Sequence, residues 1–142
     1  LFSYFNSNFT FNGTTETDGG NVDPFTVQLF STGNECLRIA VTAQGADMEA
    51  TLVAPDGRTW RDDDGNGGLR PLVKAITSTR GWHILRISHF AGASVHADFT
   101  VNVARLPSNN IACSAPTTPV NFLAPAAAKA PVPMAAQPGG TR

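Results

Sequence analysis

The sequence predicts an all-β protein, an antiparallel β-sandwich of about eight strands with a jelly-roll-like layout. Short segments in which apolar and polar residues alternate recur along the chain, and a period of two is typical of strands with one buried face. Clusters of Gly, Pro, Asn and Asp separate these segments at regular intervals. No segment repeats its apolar residues with the period of an amphipathic helix, so we expect two sheets packed on each other.

The N-terminal region is predicted to hold one strand followed by one loop. Within residues 1–12, Phe5, Phe9 and Phe11 fall on the same face of an extended chain, which favours a strand. Residues 13–23 are rich in Gly, Thr, Asp and Asn, a composition typical of a polar loop.

The next two strands are predicted over residues 24–31 and 36–43. In both segments apolar side chains occupy every second position, which indicates one buried and one exposed face. The Ser-Thr-Gly-Asn stretch between them is typical of a turn, so the two strands are predicted to form a hairpin.

Five further strands complete the predicted sandwich. A Pro-Asp-Gly turn at residues 55–57 separates two of them, because Pro presets the backbone angle and Gly accepts a positive φ. The five segments are residues 48–54, 59–61, 72–77, 82–89 and 97–104.

The composition changes after residue 106. Residues 107–142 carry seven prolines and many alanines, and such a dense series of prolines favours extended polyproline II structure over a sheet. We therefore divide the chain into an N-terminal strand and polar loop (1–23), a β-sandwich core (24–106) and an extended Pro/Ala-rich tail (107–142).

Charge and hydropathy exclude some classes of partner. The net charge is -1 and only 15% of the residues are charged, so the sequence lacks the basic stripe that binds nucleic acid. No apolar run reaches the roughly 18 residues of a membrane-spanning helix. The chain begins at Leu1 rather than Met, and we expect a processed, exported protein that is secreted or held at the cell surface, in an extracellular or periplasmic setting.

The two cysteines, Cys36 and Cys113, are predicted to form a disulfide. Metal sites usually need four ligands at short spacing, whereas these residues lie far apart in the sequence. The alternative is a pair of free buried thiols. An exported protein favours the disulfide, which would close a long loop and contribute roughly 4 kcal/mol by the loop-entropy relation.

An acidic, glycine-rich loop is a candidate calcium site. Residues 62–67 match the first half of a calcium-loop pattern in which alternate side chains offer oxygen ligands, but position 12 is Val73 instead of Glu, which excludes an EF-hand. The alternative is a solvated turn. The candidate ligands are Asp62, Asp64, Asn66 and Gly68. One further carboxylate, from Asp18, Asp47, Glu49 or Asp56, would complete the coordination shell of the calcium ion.

Aromatic and Asn residues suggest two kinds of surface site. Trp60 and Trp82 would form a stacking platform for a ligand, although a strand Trp beside Gly is more often a core residue. Asn8 and Asn12 each begin an Asn-x-Thr pattern, the acceptor of N-linked glycans.

The aromatic residues 1–12 either pack on their own core or complete the sheet of a neighbour by strand addition.

The strand order resembles a known family. The pattern comprises Phe25, Val27 and Leu29, then Leu-Arg-Ile-Ala-Val at 37–41, Pro-Asp-Gly at 55–57, Asp62 and Asp63, and Gly-Trp-His-Ile-Leu-Arg-Ile at 81–87. Over residues 24–104 this is similar to the bacterial pre-peptidase C-terminal domain. The resemblance implies a small jelly-roll-like module of an exported protein, with a non-catalytic role in secretion, adhesion or stability and with calcium binding in some members.

No arrangement of residues predicts an active site. The sequence has no Gly-x-Ser-x-Gly elbow, and His83 and His89 lie roughly 20 Å apart along one strand, where we expect exposed histidines. We therefore expect a non-catalytic structural or interaction subunit of an extracellular or cell-surface assembly, such as a filament, that self-associates through residues 1–12 and 107–142. The alternatives are an accessory module of a secreted hydrolase that binds protein or carbohydrate and, last, an uncharacterised hydrolase.

Overall fold

Two antiparallel sheets form the body of the protein. A computed structural model describes residues 7–18, 21–90 and 96–120. Within them, one sheet has the strand order β1-β10-β5-β8, a second has the order β4-β9-β6-β7, and β2 and β3 form a separate two-stranded ribbon. The strands are β1 (Ser7–Thr14), β2 (Glu16–Asp18), β3 (Asn21–Asp23), β4 (Phe25–Ser31), β5 (Glu35–Gln44), β6 (Met48–Val53), β7 (Thr59–Asp62), β8 (Leu72–Ile76), β9 (Gly81–His89) and β10 (Asp98–Pro107). The predicted all-β sandwich is confirmed.

The core lies between the two four-stranded sheets and follows from the alternation in the sequence. In β6 every second side chain is fully buried, and Leu52 lies opposite Trp60 of β7 and Leu85 of β9. Strand β5 is buried on both faces over much of its length, because it lies between β10 and β8 and is covered from outside by the segment that follows β10. Each fully buried aliphatic side chain contributes about 1.5–3 kcal/mol relative to exposure.

The structure corrects two local predictions. Residues 24–31 and 36–43 do not pair as a hairpin, because β4 belongs to one sheet and β5 to the other. The turn at residues 32–34 instead carries the chain from one sheet to the other, with positive φ at Gly33 and Asn34. Alternation of apolar residues fixes which face of a strand is buried, but it does not name the partner strand.

The N-terminal boundary of the sandwich also differs from the predicted division at residue 23. Strand β1 pairs along its whole length with β10, so it is a full member of the first sheet. The predicted polar loop over residues 13–23 contains β2 and β3, which pair with each other. Short polar strands carry no apolar alternation, so their sequence is indistinguishable from a loop.

The segment after β10 packs back onto the sandwich. The predicted disulfide Cys36–Cys113 is present and ties this segment to β5. A short 3-10 helix (Ile111–Cys113) ends at the disulfide-bonded Cys113. At the start of this helix, the side chain of Asn110 accepts a hydrogen bond from the Ala112 N–H. The predicted Pro/Ala-rich tail beyond residue 120 and the predicted turn at residues 91–95 lie outside the described residues. No described helix has the length and hydropathy needed to cross a bilayer.

Candidate functional site

One side of the sandwich is open. Strands β1 and β4 are the edge strands of their sheets and lie on the same side, with the rings of Phe11 and Phe25 only 5.7 Å apart. In the part of the chain that the structure describes, neither strand has a second pairing partner. A groove of about 320 Å³ lies between the two edges. It is lined by Phe9, Gln28, Leu29, Phe30, Leu37, Val103 and Arg105.

The two strands at this open side carry no charged residue and no proline. Their sequences are Ser-Asn-Phe-Thr-Phe-Asn-Gly-Thr and Phe-Thr-Val-Gln-Leu-Phe-Ser. Natural sheets usually protect an exposed edge with lysines, prolines or bulges that prevent pairing with another chain. The register of β4 with β9 is regular over seven residues, so this edge is available as a template for a further strand.

The opposite side of the sandwich is closed by the protein itself. Residues 114–120 run from β8 to β7, the edge strands there. The Thr117 N–H donates to the Lys74 carbonyl at 3.0 Å, and the Lys74 N–H donates to Thr117 Oγ1 at 2.9 Å. The Val120 N–H then donates to the Thr59 carbonyl at 2.7 Å. This segment therefore caps one pair of edges, while the β1–β4 pair has no such cap among the described residues.

A buried ion pair lies beside the groove. Arg105 donates to both carboxylate oxygens of Glu35, at 3.1 and 2.8 Å. The same carboxylate accepts hydrogen bonds from Ser31 Oγ at 2.6 Å and from the Thr32 N–H at 2.9 Å. A buried carboxylate needs such partners to offset its desolvation. Ser31 is fully buried and its hydroxyl donates a hydrogen bond to Glu35, so this cluster fixes the crossover between the sheets and does not present a nucleophile.

A second feature is an aromatic surface on the outer face of the sheet that contains β9. Trp82 is 57% exposed, and its ring meets the Phe30 ring edge-on at 5.2 Å. The Arg80 guanidinium lies 5.1 Å from the centre of the Phe30 ring, within the range of a cation–π contact. Ile84 and Arg86 continue along the same face of β9. Rings and guanidinium groups of this kind are enriched in protein-binding hot spots.

Trp60, the other half of the predicted stacking platform, lies in the core. It is 1% exposed and stands opposite Leu52, so its ring is not accessible to a ligand. The two Trp residues therefore do not form a joint platform, because they lie on opposite faces of the same sheet. The ring that packs on Trp82 is Phe30, which in turn contacts the Arg80 guanidinium. Sequence alone did not indicate this pairing, because Phe30 lies in a different strand, β4.

The acidic loop brings three carboxylates together. Ligand atoms of Asp62, Asp63 and Asp64 lie within 4.8 Å of one another. The sequence pattern missed Asp63, because that pattern selects alternate positions. Asp62 Oδ2 is already engaged, since it accepts hydrogen bonds from the Gly65 N–H at 2.7 Å and the Leu72 N–H at 2.9 Å.

The other two candidate ligands of the loop have structural partners. Asn66 Nδ2 donates to the Val41 carbonyl at 2.8 Å, which ties the loop to β5. Gly68 adopts a positive φ, and the Arg70 guanidinium lies against it. Calcium binding at Asp62, Asp64, Asn66 and Gly68 stays a prediction.

Two of the carboxylates named as additional ligands have other partners. Glu49 forms an ion pair with Arg61 on the outer face of the second sheet. Asp56 lies in the Pro-Asp-Gly turn, where partial burial raises the pKa of its carboxyl. Hydrogen bonds from the Arg58 N–H and the Thr79 hydroxyl and the charge of Arg58 outweigh burial, so the net pKa lies below its usual value. Neither carboxylate belongs to the Asp62–Asp64 group.

The histidines differ from the predicted exposed residues. His83 is fully buried, and burial lowers the pKa of its imidazole, while a hydrogen bond from Nδ1 to the Gly81 carbonyl and the charges of Asp56 and Glu35 oppose this in part. His89 is half-buried, with Nε2 2.6 Å from Thr15 Oγ1. The described part of the chain does not bring them into a metal-binding group.

The two predicted glycan acceptors share one face of β1. Asn8 and Asn12 are exposed on the outer face of the first sheet. Their side-chain carbonyls accept hydrogen bonds from Asn102 at 2.6 Å and Thr100 at 2.8 Å. Glycosylation at these positions stays a prediction.

Comparison with known proteins identifies a fold. No protein-family model matches the sequence, and no curated protein matches it significantly. A similar solved structure is the crystal structure of Aeromonas hydrophila PliG, a periplasmic lysozyme inhibitor of g-type lysozyme. The TM-score is 0.54 and the sequence identity 13%, and the match covers 74% of this chain and 91% of that chain. At this identity the likeness shows a shared sandwich fold. The pre-peptidase C-terminal resemblance stays a prediction.

Proposed function

We propose that this chain is a non-catalytic, exported protein that acts by joining protein chains, as a structural or interaction subunit of an extracellular or cell-surface assembly. The observation that carries the proposal is the open side of the sandwich, where β1 and β4 present uncharged edges beside an apolar groove. An unprotected edge of this kind favours pairing with another chain.

Two further observations support the proposal. The disulfide Cys36–Cys113 is typical of proteins that reside in an oxidising compartment, which is extracellular or periplasmic. The similar fold in Aeromonas hydrophila belongs to a periplasmic inhibitor of a lysozyme, so a sandwich of this shape can act on another protein.

The buried polar groups support a non-catalytic role. Glu35, Arg105 and His83 lie inside the sandwich, where the first two pair with each other and the third bonds to the backbone. A catalytic group must reach its substrate, whereas Glu35 and His83 are fully buried and Arg105 is held in its ion pair with Glu35. As part of this proposal, the acidic loop binds calcium and thereby stabilises the folded subunit.

Light scattering of the full chain coupled to size exclusion tests the proposed function. We expect the mass to rise with concentration above the 14.9 kDa of one chain. The matched variant is the same protein without residues 1–6 and 121–142, which keeps every described residue and should assemble less. A constant monomer mass for the full chain at all concentrations would contradict the proposal.

The aromatic surface favours a second function, that of an accessory module which binds protein or carbohydrate for a secreted hydrolase. This is the role of the pre-peptidase C-terminal domains that the sequence resembles. Its support is the exposed ring of Trp82, framed by Phe30 and Arg80. Aromatic rings in such settings stack on sugars and anchor protein partners.

Replacing Trp82 tests the second function. Trp82→Ala should weaken binding to soluble chitin or peptidoglycan oligosaccharides at least tenfold while leaving the melting temperature nearly unchanged, because the ring is largely exposed. The measurement is an NMR titration that follows the Trp indole signals. Thr51→Ala on the same face of the sheet is the control. The absence of any shift in the unaltered protein would argue against a carbohydrate-binding role.

A further inference from the structure

We propose that the groove between β1 and β4 is the acceptor site for residues 1–6 of a second copy of this chain, which add to the free edge of β4 as an extended strand. This inference rests on the proposed function and names the surfaces that would join the subunits. In this arrangement the N-terminal segment of a second copy occupies the open side of the sandwich. It binds there by main-chain pairing and by burial of apolar side chains.

The chemistry of the groove matches that of the segment. Phe9, Leu29 and Phe30 give the groove an apolar lining. Residues 1–6 read Leu-Phe-Ser-Tyr-Phe-Asn and have no charged side chain. In an extended strand successive side chains point to opposite faces, so one face would carry Phe2 and Tyr4 and the other Leu1 and Phe5. Either face offers large apolar side chains to the lining.

The pairing capacity of the edge matches a strand of this length. Strand β4 offers seven residues in regular register, with β9 on one side and no partner among the described residues on the other. A strand of six residues would pair with most of that edge. Addition of an extended peptide to a sheet edge obtains its affinity from main-chain hydrogen bonds and its specificity from the pockets for alternate side chains.

The position of the segment favours a second copy over its own groove. Strand β1 begins at Ser7, which lies opposite Arg105, two residues before the end of β10. Residues 1–7 contain neither Gly nor Pro, the residues that most readily reverse a chain. A continuation in the direction of β1 would extend about 20 Å beyond Ser7. A segment that continued in this direction would be placed to reach a neighbouring molecule rather than its own groove.

The closed side of the same sandwich provides an internal precedent. There, residues 114–120 cap β8 and β7 through main-chain hydrogen bonds, as a segment without sheet structure of its own. The proposed contact repeats this solution at the other side, with a segment from a different molecule. Two copies that exchange segments reciprocally would form a closed pair, whereas a one-way exchange would form a filament.

A cross-linking experiment tests the contact directly. The full chain is prepared with the photoreactive residue p-benzoylphenylalanine in place of Phe5, once with ¹⁵N labelling and once without, and the two are mixed before irradiation. Mass spectrometry then locates each cross-link and shows from the isotopes whether it joins two molecules. We expect mixed-isotope cross-links to Phe9, Gln28 or Leu29 in the groove. Cross-links confined to one molecule, or to the face around Trp82, would overturn the inference.

Two variants measure the contribution of the groove. Phe9→Glu places a charge in the groove, and Thr10→Glu places the same charge on the outer face of the same strand, where Thr10 is exposed. We expect Phe9→Glu to raise the dissociation constant of self-association at least tenfold and Thr10→Glu to change it less than twofold. Deletion of residues 1–6 should have the effect of Phe9→Glu without altering any described residue.

The outcomes separate this inference from the proposed function. If the full chain assembles and the deletion of residues 1–6 leaves the assembly unchanged, the groove inference is wrong while the proposed function stands. If the full chain remains a monomer at every concentration, both are wrong. Circular dichroism of each variant shows whether a loss of assembly comes from a loss of folding.

Discussion

His83 is a buried titratable group whose charge state affects stability. Its imidazole is enclosed among core side chains, and Nε2 has no hydrogen-bond partner among the described residues. Burial therefore lowers its pKa from the usual 6.5, although the Gly81 carbonyl and the charges of Asp56 and Glu35 act in the other direction. The folded protein keeps this side chain neutral, whereas the unfolded chain protonates it near its usual pKa.

The pH dependence of unfolding tests this description of His83. Because the pKa is lower in the folded state, the contribution of His83 to stability is complete above about pH 6.5 and is lost as the pH falls toward its folded pKa. We expect the free energy of unfolding to fall by up to about 1.4 kcal/mol per pH unit in that range. His83→Gln should reduce this slope, and the outer-face variant Thr51→Ala, which removes no titratable group, should not. Equal slopes in the two variants would contradict the description.

Single residues also show what a sequence leaves undecided. Trp60 and Trp82 are both strand residues beside Thr or Gly, yet one is in the core and the other is largely exposed. The difference comes from strand register, since Trp60 faces Leu52 whereas Trp82 faces outward beside Phe30. The cysteine pair was predictable, because exported composition and two distant cysteines leave few alternatives.

Strands were predictable from alternation, but their pairing was not. Most of the predicted segments correspond to strands, because buried and exposed positions alternate along each one. The supposed hairpin of β4 with β5 was wrong, because both strands satisfy the same pattern while lying in different sheets. The groove combines residues from β1, β4, β5 and β10, so only the absence of charge in residues 25–31 could have indicated it in advance.

The loop after β7 provides a test of calcium binding. Three carboxylates converge in it, but the Arg70 guanidinium lies beside it and Asp62 is partly occupied by backbone N–H groups. If the loop binds calcium, millimolar Ca²⁺ should raise the melting temperature by several degrees, because a ligand that binds only the folded state stabilises it.

The matched variants distinguish the metal from other effects of the loop. Asp64→Asn should abolish the calcium-dependent rise, since Asp64 is exposed and has no hydrogen bond to its side chain among those found. Magnesium at the same concentration is the control for ionic strength. A melting temperature that does not respond to Ca²⁺ in the unaltered protein would show that the loop is a solvated acidic turn.

The molecule as a whole is asymmetric in the way it closes its sheets. One pair of edges is capped by residues 114–120, which the Cys36–Cys113 disulfide holds in place. The other pair, β1 and β4, is uncharged and flanks an apolar groove. An unprotected sheet edge of this kind can pair with a strand of another chain. The proposed assembly is based on this difference between the two sides.

Hydrogen exchange at low and high protein concentration tests that central claim most directly. If chains join through the open side, the backbone amides of β4 should exchange at least tenfold more slowly in the assembled protein, because a new strand protects them. Amides of β8, on the side that is already capped, should be unchanged. Exchange in β4 that is independent of concentration, or new protection confined to the outer face around Trp82, would contradict the account.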